Sequence, residues 1–446
     1  MTNDLPPDWT WARLEDLAAA EPRAITDGPF GSNLKTAHYT DSGPRVIRLQ
    51  NIGDGVFRHE DAHISEEHYM SLVQHSVKAG DLVVASLGET LPRACLVPNW
   101  VPPAIVKADC IRVRLHPDLN PSYINFALQR PELRRETATL IKGVGRPRLG
   151  LQGIKSLAVP LAPLPQQTRI VAAIEEHFTR LDAAESALRL ALQRVEALRS
   201  SLLADAFCMN ARPPSDWKLA TIGDVATVQL GRQRSPQHHA GSQMRPYLRA
   251  ANVTWQGISL SNVKQMNFDD TDFAKYKLET GDLLLNEASG SPREIGKPAI
   301  WNGEIENCCF QNTLLRLRPH EIEVEYLYWY CYAAARSGRF GDAGRGVNIR
   351  HLGKQGLARF PILVAPMEHR GQIVDQLEDG FQQTSTLEQA AHSALDRVAA
   401  LRRSVLAEAF AGRLVLQNPG DEPASVLLER IAAPRTTTPK QPRIRA

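Results

Sequence analysis

The chain is written twice. The opening Asp8-Trp9-Thr10-Trp11-Ala12-Arg13-Leu14-Glu15-Asp16-Leu17-Ala18 returns as Asp216-Trp217-Lys218-Leu219-Ala220-Thr221-Ile222-Gly223-Asp224-Val225-Ala226. Val46-Ile47-Arg48-Leu49-Gln50-Asn51-Ile52 pairs with Tyr247-Leu248-Arg249-Ala250-Ala251-Asn252-Val253, and Gly80-Asp81-Leu82-Val83 with Gly281-Asp282-Leu283-Leu284. Arg112 to Pro117 matches Leu314 to Pro319 as a strand ending at a proline, and Ser122–Leu128 and Glu325–Tyr332 read as matched short helices. Each half closes alike, on Ala197-Leu198-Arg199-Ser200-Ser201-Leu202-Leu203 and Ala400-Leu401-Arg402-Arg403-Ser404-Val405-Leu406. Repetition on this scale dictates two halves of one plan. At about 100–200 residues per domain, 446 residues give each half a core of its own.

Between the repeats the period changes. Ile174, Leu181, Leu188, Val195 and Leu202 fall seven apart, with Ala184, Ala191 and Leu198 three residues after members of that row. The second half repeats this with Leu377, Thr384, Ala391, Val398 and Val405, and with Leu387, Ala394 and Leu401 in the offset row. Such spacing predicts two helices of about 40 residues packed on each other through an a/d seam. At roughly 1.5 Å per residue each is about 60 Å long, close to two turns of B-DNA. The alternative is that each helix serves only its own domain. Pro160-Leu161-Ala162-Pro163-Leu164-Pro165 and Phe360-Pro361-Ile362-Leu363-Val364-Ala365-Pro366 mark where each helix begins, because proline continues neither a ladder nor a helix interior.

The fold expected is therefore α+β: two strand-rich α/β domains at residues 1–165 and 211–366, and long helices at 166–210 and 367–412 packed as an antiparallel coiled coil. A C-terminal segment covers 413–446, and after Ile431 the loss of apolar periodicity predicts a disordered tail.

Composition excludes several classes. No apolar run approaches the roughly 20 residues of a membrane span, and the start lacks a basic region followed by an apolar stretch, which makes the cytoplasm the expected compartment. The six cysteines show no CxxC pair and read as reduced and mostly buried. A net charge of +3 is small for a non-specific nucleic-acid binder, so any DNA contact must come from local patches. There is no P-loop, no aromatic-flanked NPP motif or glycine loop for a methyl donor, and no compelling nuclease carboxylate–lysine set. The adjacent His238 and His239 lack the context of metal ligands.

Several stretches resemble one family. These are Gly28-Pro29-Phe30-Gly31-Ser32-Asn33-Leu34-Lys35, Val46 to Gly55, Pro163-Leu164-Pro165-Gln166-Gln167-Thr168-Arg169-Ile170-Val171, and the C-terminal Ala409 to Val415 with Asp421 to Ile431. They are similar to motifs of the specificity subunit of type I restriction-modification enzymes, over nearly the whole chain. The resemblance implies a non-catalytic subunit that binds double-stranded DNA through two target-recognition domains, each reading half of a split sequence. It implies two methyltransferase subunits docked around the helices, with S-adenosylmethionine held there for adenine methylation. Where restriction subunits join, they bring ATP and Mg. At the second joint Met367-Glu368-His369-Arg370-Gly371-Gln372 replaces Leu164-Pro165-Gln166-Gln167-Thr168-Arg169, so equal partner contacts at both joints are in question.

Candidate DNA contacts lie in loops. Ser32, Asn33 and Lys35 stand in the first half, and Arg232, Gln233 and Arg234 follow Gly231 in the second. Arginine suits guanine edges, and asparagine or glutamine suits adenine. Lys142, Arg146 and Arg148 lie in a glycine-containing loop whose counterpart carries Arg345, Asn348 and Arg350, where backbone can approach phosphate. Arg93 and Arg293 follow matched strands, and Arg48 and Arg249 sit within apolar strands, where a structural role is an equal reading. The helical regions repeat closely and the loops do not, so the expected target is asymmetric and bipartite. Two other readings stay open: an enzyme with an unrecognised site, and a scaffold that binds protein only.

Overall fold

The computed structural model describes residues 5–88, 90–141, 147–209, 211–289, 291, 294–343 and 350–436. They form two compact units: residues 1–187 with 394–446, and residues 188–393. Each unit therefore holds part of both long helices, which run Leu164–Ala206 and Met367–Phe410.

In unit 1 the central sheet runs Ile25–Thr26, Cys110–Val113, Leu82–Ala85, Arg93–Leu96, antiparallel throughout. Leu82, Val83, Val84 and Ala85 are all buried, as an apolar run without alternation requires of a strand covered on both faces. A second sheet runs His63–Ile64, Tyr39–Ile47, Ala104–Val106, Ser76–Val77. The opening strand Thr10–Arg13 pairs antiparallel with Ala158–Leu161, just before the first long helix. Helix Ala424–Thr436 returns to this ribbon, with Ala424 N–H donating to Asp8 O at 2.9 Å, and buries Leu427 and Ile431 in the unit 1 core. Sequence periodicity stops at Ile431, yet the helix continues to Thr436. Ala432 and Ala433, the strongest of helix formers, extend it.

Unit 2 repeats the plan. Its central sheet runs Ala226–Leu230, Leu314–Pro319, Asp282–Asn286, Pro298–Trp301, its second sheet Lys264–Asn267, Met244–Leu248, Cys309–Phe310, and its ribbon pairs Lys218–Thr221 with Pro361–Val364. Equivalence extends to single bonds. Arg114 grips Asp81 through Nε (3.0 Å) and Nη2 (2.9 Å), and Arg318 grips Asp282 through the same atoms at 2.7 and 2.9 Å. Tyr123 OH donates to Pro160 O at 2.6 Å, and Tyr326 OH to Leu363 O at 2.9 Å. The ion pairs set the strand match two residues away from the one suggested by Pro117 and Pro319. A shift of two keeps the same side chains on the core face, so the alternation alone gave no warning.

The two long helices pack antiparallel. In unit 1 Arg402 pairs with Asp182 and Glu185; in unit 2 Arg199 donates to Thr384 Oγ1 at 3.0 Å and pairs with Glu388 at 2.8 Å. Numbers rise on one helix as they fall on the other. The rows from Ile174 and from Leu377 face inward as expected, but the offset rows do not. Leu198, Leu387 and Leu401 are 48, 57 and 52% exposed, Ala184 and Ala191 are also exposed, and Ala394 is half-buried. The seam is completed four residues on, by Phe178, Glu185, Leu192 and Arg199 and by Phe381, Glu388, Leu395 and Arg402, all half-buried. A heptad row can be partnered three or four residues on, and here the four-on row combines the apolar bodies of Phe178, Leu192, Phe381 and Leu395 with ion pairs of Arg199 to Glu388 and Arg402 to Glu185 across the helices. Among the described residues no helix is long and apolar enough to cross a membrane.

Candidate nucleic-acid interface

In unit 1 the strand Ile25–Thr26 ends at Asp27-Gly28. A side chain at Gly28 would lie 2.2 Å from the Lys107 carbonyl carbon, so only glycine permits this crossing. Asp27 Oδ1 accepts from Gly28 N–H at 2.8 Å and from Asp109 N–H at 3.0 Å. Burial outweighs these bonds and raises the Asp27 carboxyl to about 6. Asp109, held at φ +70°, accepts from Ser86 Oγ at 3.3 Å and pairs with Arg148.

Arg148 is the hinge of this surface. Leu87 bridges to its backbone, and its guanidinium lies 5.7 Å from the centre of the Phe30 ring, itself 51% exposed. Phe30 leads into the turn Gly31–Asn33, where Ser32 and Asn33 are exposed, followed by exposed Lys35. The turn is anchored by Asn33 O to His68 Nε2 at 2.9 Å, and Lys35 N–H donates to His38 Nδ1 at 3.1 Å, the two imidazoles lying 4.2 Å apart. Ser32, Asn33, Lys35 and Arg148 are thus brought onto one rim through Phe30.

Arg48 and Arg93 form a separate pair at a neighbouring turn. Arg93 Nη2 donates to Leu49 O at 3.1 Å and Arg48 Nη2 to Asp61 O at 3.2 Å, while both Nε atoms are buried without a hydrogen-bond partner. Asn51 fixes the turn, accepting from Arg48 N–H at 2.9 Å and donating to Glu60 O at 2.8 Å. Beyond it, exposed Trp100 stacks on His59 at 5.1 Å and carries the Arg45 guanidinium at 5.5 Å.

Unit 2 keeps the scaffold and changes the rim. Gly231 again crosses close to backbone, its would-be side chain 2.2 Å from Gln311 O. Arg232 is corrected by the structure. It is 7% exposed, pairs with Asp272, donates to Asn267 O and stands 5.1 Å over Phe268. The residue after the crossing glycine points inward, and a guanidinium engaged on all sides cannot read a base. Gln233 and Arg234 beside it are exposed. Arg249 mirrors Arg48: its N–H donates to Asn252 Oδ1 at 3.1 Å and its Nε is buried without a partner.

Arg350 lies in a strand paired with Ser289, but its side chain, like Lys142, Arg146, Arg293, Arg345 and Asn348 as whole residues, lies outside what is described. Leu87 bridges to Arg148 and the equivalent Ala288 pairs with His351. The unit 2 counterpart of Arg148 is therefore His351, exposed and 2.9 Å from Glu287 Oε2, not Arg350. The glycine runs of the two loops suggest a match one residue earlier than the strand pairing sets. Phe30 and His351 were missed because neither type announces itself; Phe30 stands just before the Gly31–Asn33 turn and His351 in the short strand beside Arg350.

The second half of the chain, residues 214–397, matches the family described as type I restriction modification DNA specificity domain. The StySPI type I restriction enzyme specificity subunit of Salmonella potsdam is 24% identical over 426 residues, 88% of this chain and 89% of that one. The EcoDI specificity subunit of Escherichia coli is 34% identical over 234 residues, half of each chain. A chain from a structure concerned with complex assembly and conformational transition of the type I R-M system superposes with TM-score 0.72 at 20% identity, covering 92% of this chain and 99% of that one. The HsdS subunit of Thermoanaerobacter tengcongensis does so with TM-score 0.53 at 21% identity, covering 92% and 98%. With a duplicated fold, paired loop rims and an antiparallel helix pair already in view, the second half of the chain matches the type I restriction modification DNA specificity domain, and the chain along most of its length is similar to type I restriction enzyme specificity subunits.

Proposed function

We propose that this chain reads an asymmetric, bipartite double-stranded DNA target, one half through each unit, and performs no chemistry itself. The observation that carries this is a shared scaffold with unlike rims. The glycine crossing, the Arg–Asp grip and the Tyr–backbone bond recur, while Phe30, Ser32, Asn33, Lys35 and Arg148 are answered by Gln233, Arg234 and His351. Base edges in the major groove select among such donors and acceptors, and phosphate contacts set the register.

Two methyltransferase subunits dock around the helices. Leu190, Leu198, Leu387 and Leu401, all 46% exposed or more, supply apolar surface for that contact. The methyltransferases bind S-adenosylmethionine and methylate adenine; restriction subunits, where they join, bring ATP and Mg. The complex works in the cytoplasm. The test is to co-express the chain with its neighbouring methyltransferase and map adenine methylation by single-molecule sequencing. One split, non-palindromic motif present only with this chain is expected. Methylation unchanged by its omission, or a palindromic motif, would refute the proposal.

A further inference from the structure

Unit 2 contains a cavity of about 740 Å³ between its strand-rich part and its portions of the long helices. Trp329 and Tyr332 pack on Phe381 of the second long helix along one wall of this space, and the rest of it is open. Across the open part runs a polar set of contacts. Glu294, beside the candidate loop that carries Arg293, accepts from Trp255 Nε1 at 2.7 Å. The Trp255 ring lies edge-on to Tyr332 at 4.9 Å and beneath the Arg336 guanidinium at 5.1 Å. Arg336, at the end of helix Val324–Arg336, pairs with Glu196 on the first long helix. Glu196 also meets Arg199 at 3.3 Å, and Arg199 is tied to Thr384 and Glu388 on the second long helix. The chain of contacts thus runs from a recognition loop to both helices.

Unit 1 lacks this tie by sequence. Matching Tyr123 to Tyr326 and Arg402 to Arg199 sets Leu133 at the place of Arg336 and Ala399 at the place of Glu196. Arg134 instead pairs with Asp54 inside the recognition part, beside a smaller cavity of about 350 Å³. The Arg336 and Glu196 side chains are 35 and 49% exposed. Pairs that open to water contribute little to folding stability, whereas a planar guanidinium held between a carboxylate and an indole is strongly directional.

We infer that Arg336 is a positioning residue: through Glu196 and Trp255 it fixes the inclination of the second recognition domain on the long helices, and with it the fidelity of one half of the target. The inference rests on the DNA-reading function proposed above. It is tested on the full complex with its methyltransferase, using duplexes that carry single-base changes in either half of the motif. Arg336→Ala is expected to lower discrimination in one half by roughly tenfold, since small misplacements of a bound group are costly, and to leave the other half unchanged. Melting temperature should move by no more than about 3 °C. Arg336→Lys should restore part of the lost fidelity, and the exchanged pair Arg336→Glu with Glu196→Arg most of it. Unchanged discrimination in both halves, or equal loss in both, would overturn the inference. If Arg336→Ala does not fold, Glu196→Gln reads the same tie from its other end. A wild-type complex without a split motif would instead refute the DNA-reading function, and the inference with it.

Discussion

Arg148 and Arg232 look alike in the sequence, each a loop arginine near a glycine, and the fold gives them opposite work. Arg232→Ala leaves Asp272, about a quarter exposed, without its partner and should cost roughly 2–4 kcal/mol in a denaturant titration, somewhat less than for a fully buried pair. Arg148→Ala should change stability little and weaken binding to the cognate duplex by roughly tenfold, as read by fluorescence anisotropy. Asp27 adds a pH signature. Its folded value of about 6 lies above the ordinary 3.8 of a free carboxyl, so between those limits the folded state holds a proton that the unfolded state has released. Stability from this group is therefore intact below about pH 4 and falls as pH rises through about 6. Asp27→Asn keeps the acceptor for Gly28 and Asp109 and cannot ionise, so its melting temperature should gain on the wild type across that window and then run parallel. A pH-independent difference would refute this. None of it was legible beforehand, because burial of a short polar residue depends on strands distant in the chain.

Among the elements, the long helices were the most legible and still half misread. Period seven fixed their existence, extent and inward row; which neighbour of that row completes the seam depended on the facing helix. The leftover leucines are the instructive residue of that error, since periodic apolar residues not used within the chain are available to another. Leu198→Lys with Leu401→Lys should leave thermal stability within about 1 kcal/mol, as for surface changes, and abolish co-purification of the methyltransferase. Ile174→Ala, at a fully buried seam position, should cost about 2–5 kcal/mol. The strands were placed well by their apolar runs, and mispaired by one or two residues where prolines and glycines were used as landmarks.

For the whole molecule, the duplication announced the architecture before any element was assigned, because repetition is a property of sequence that folding need not interpret. If the proposed reading holds, a chain of net charge +3 that contacts phosphates through local patches should bind DNA with a measurable salt slope, roughly 0.9 per phosphate neutralised. Removing Lys35, Arg148 and Arg234 together should flatten that slope by up to about three such contacts. An unchanged slope would place the phosphate contacts elsewhere. Unit 1 is assembled from both ends of the chain, with Ile170 and Ile174 packed in one core with Leu406, Phe410 and Ile431. During synthesis its first portion must therefore wait, with one side of its helix uncovered, while all of unit 2 is translated. At about 5–20 residues per second that interval is roughly 10 to 40 s, long on the scale of domain folding. The segment from residue 394 to Ile431 acts as a clasp, so a nascent chain halted before it should carry a finished second unit and an unfinished first.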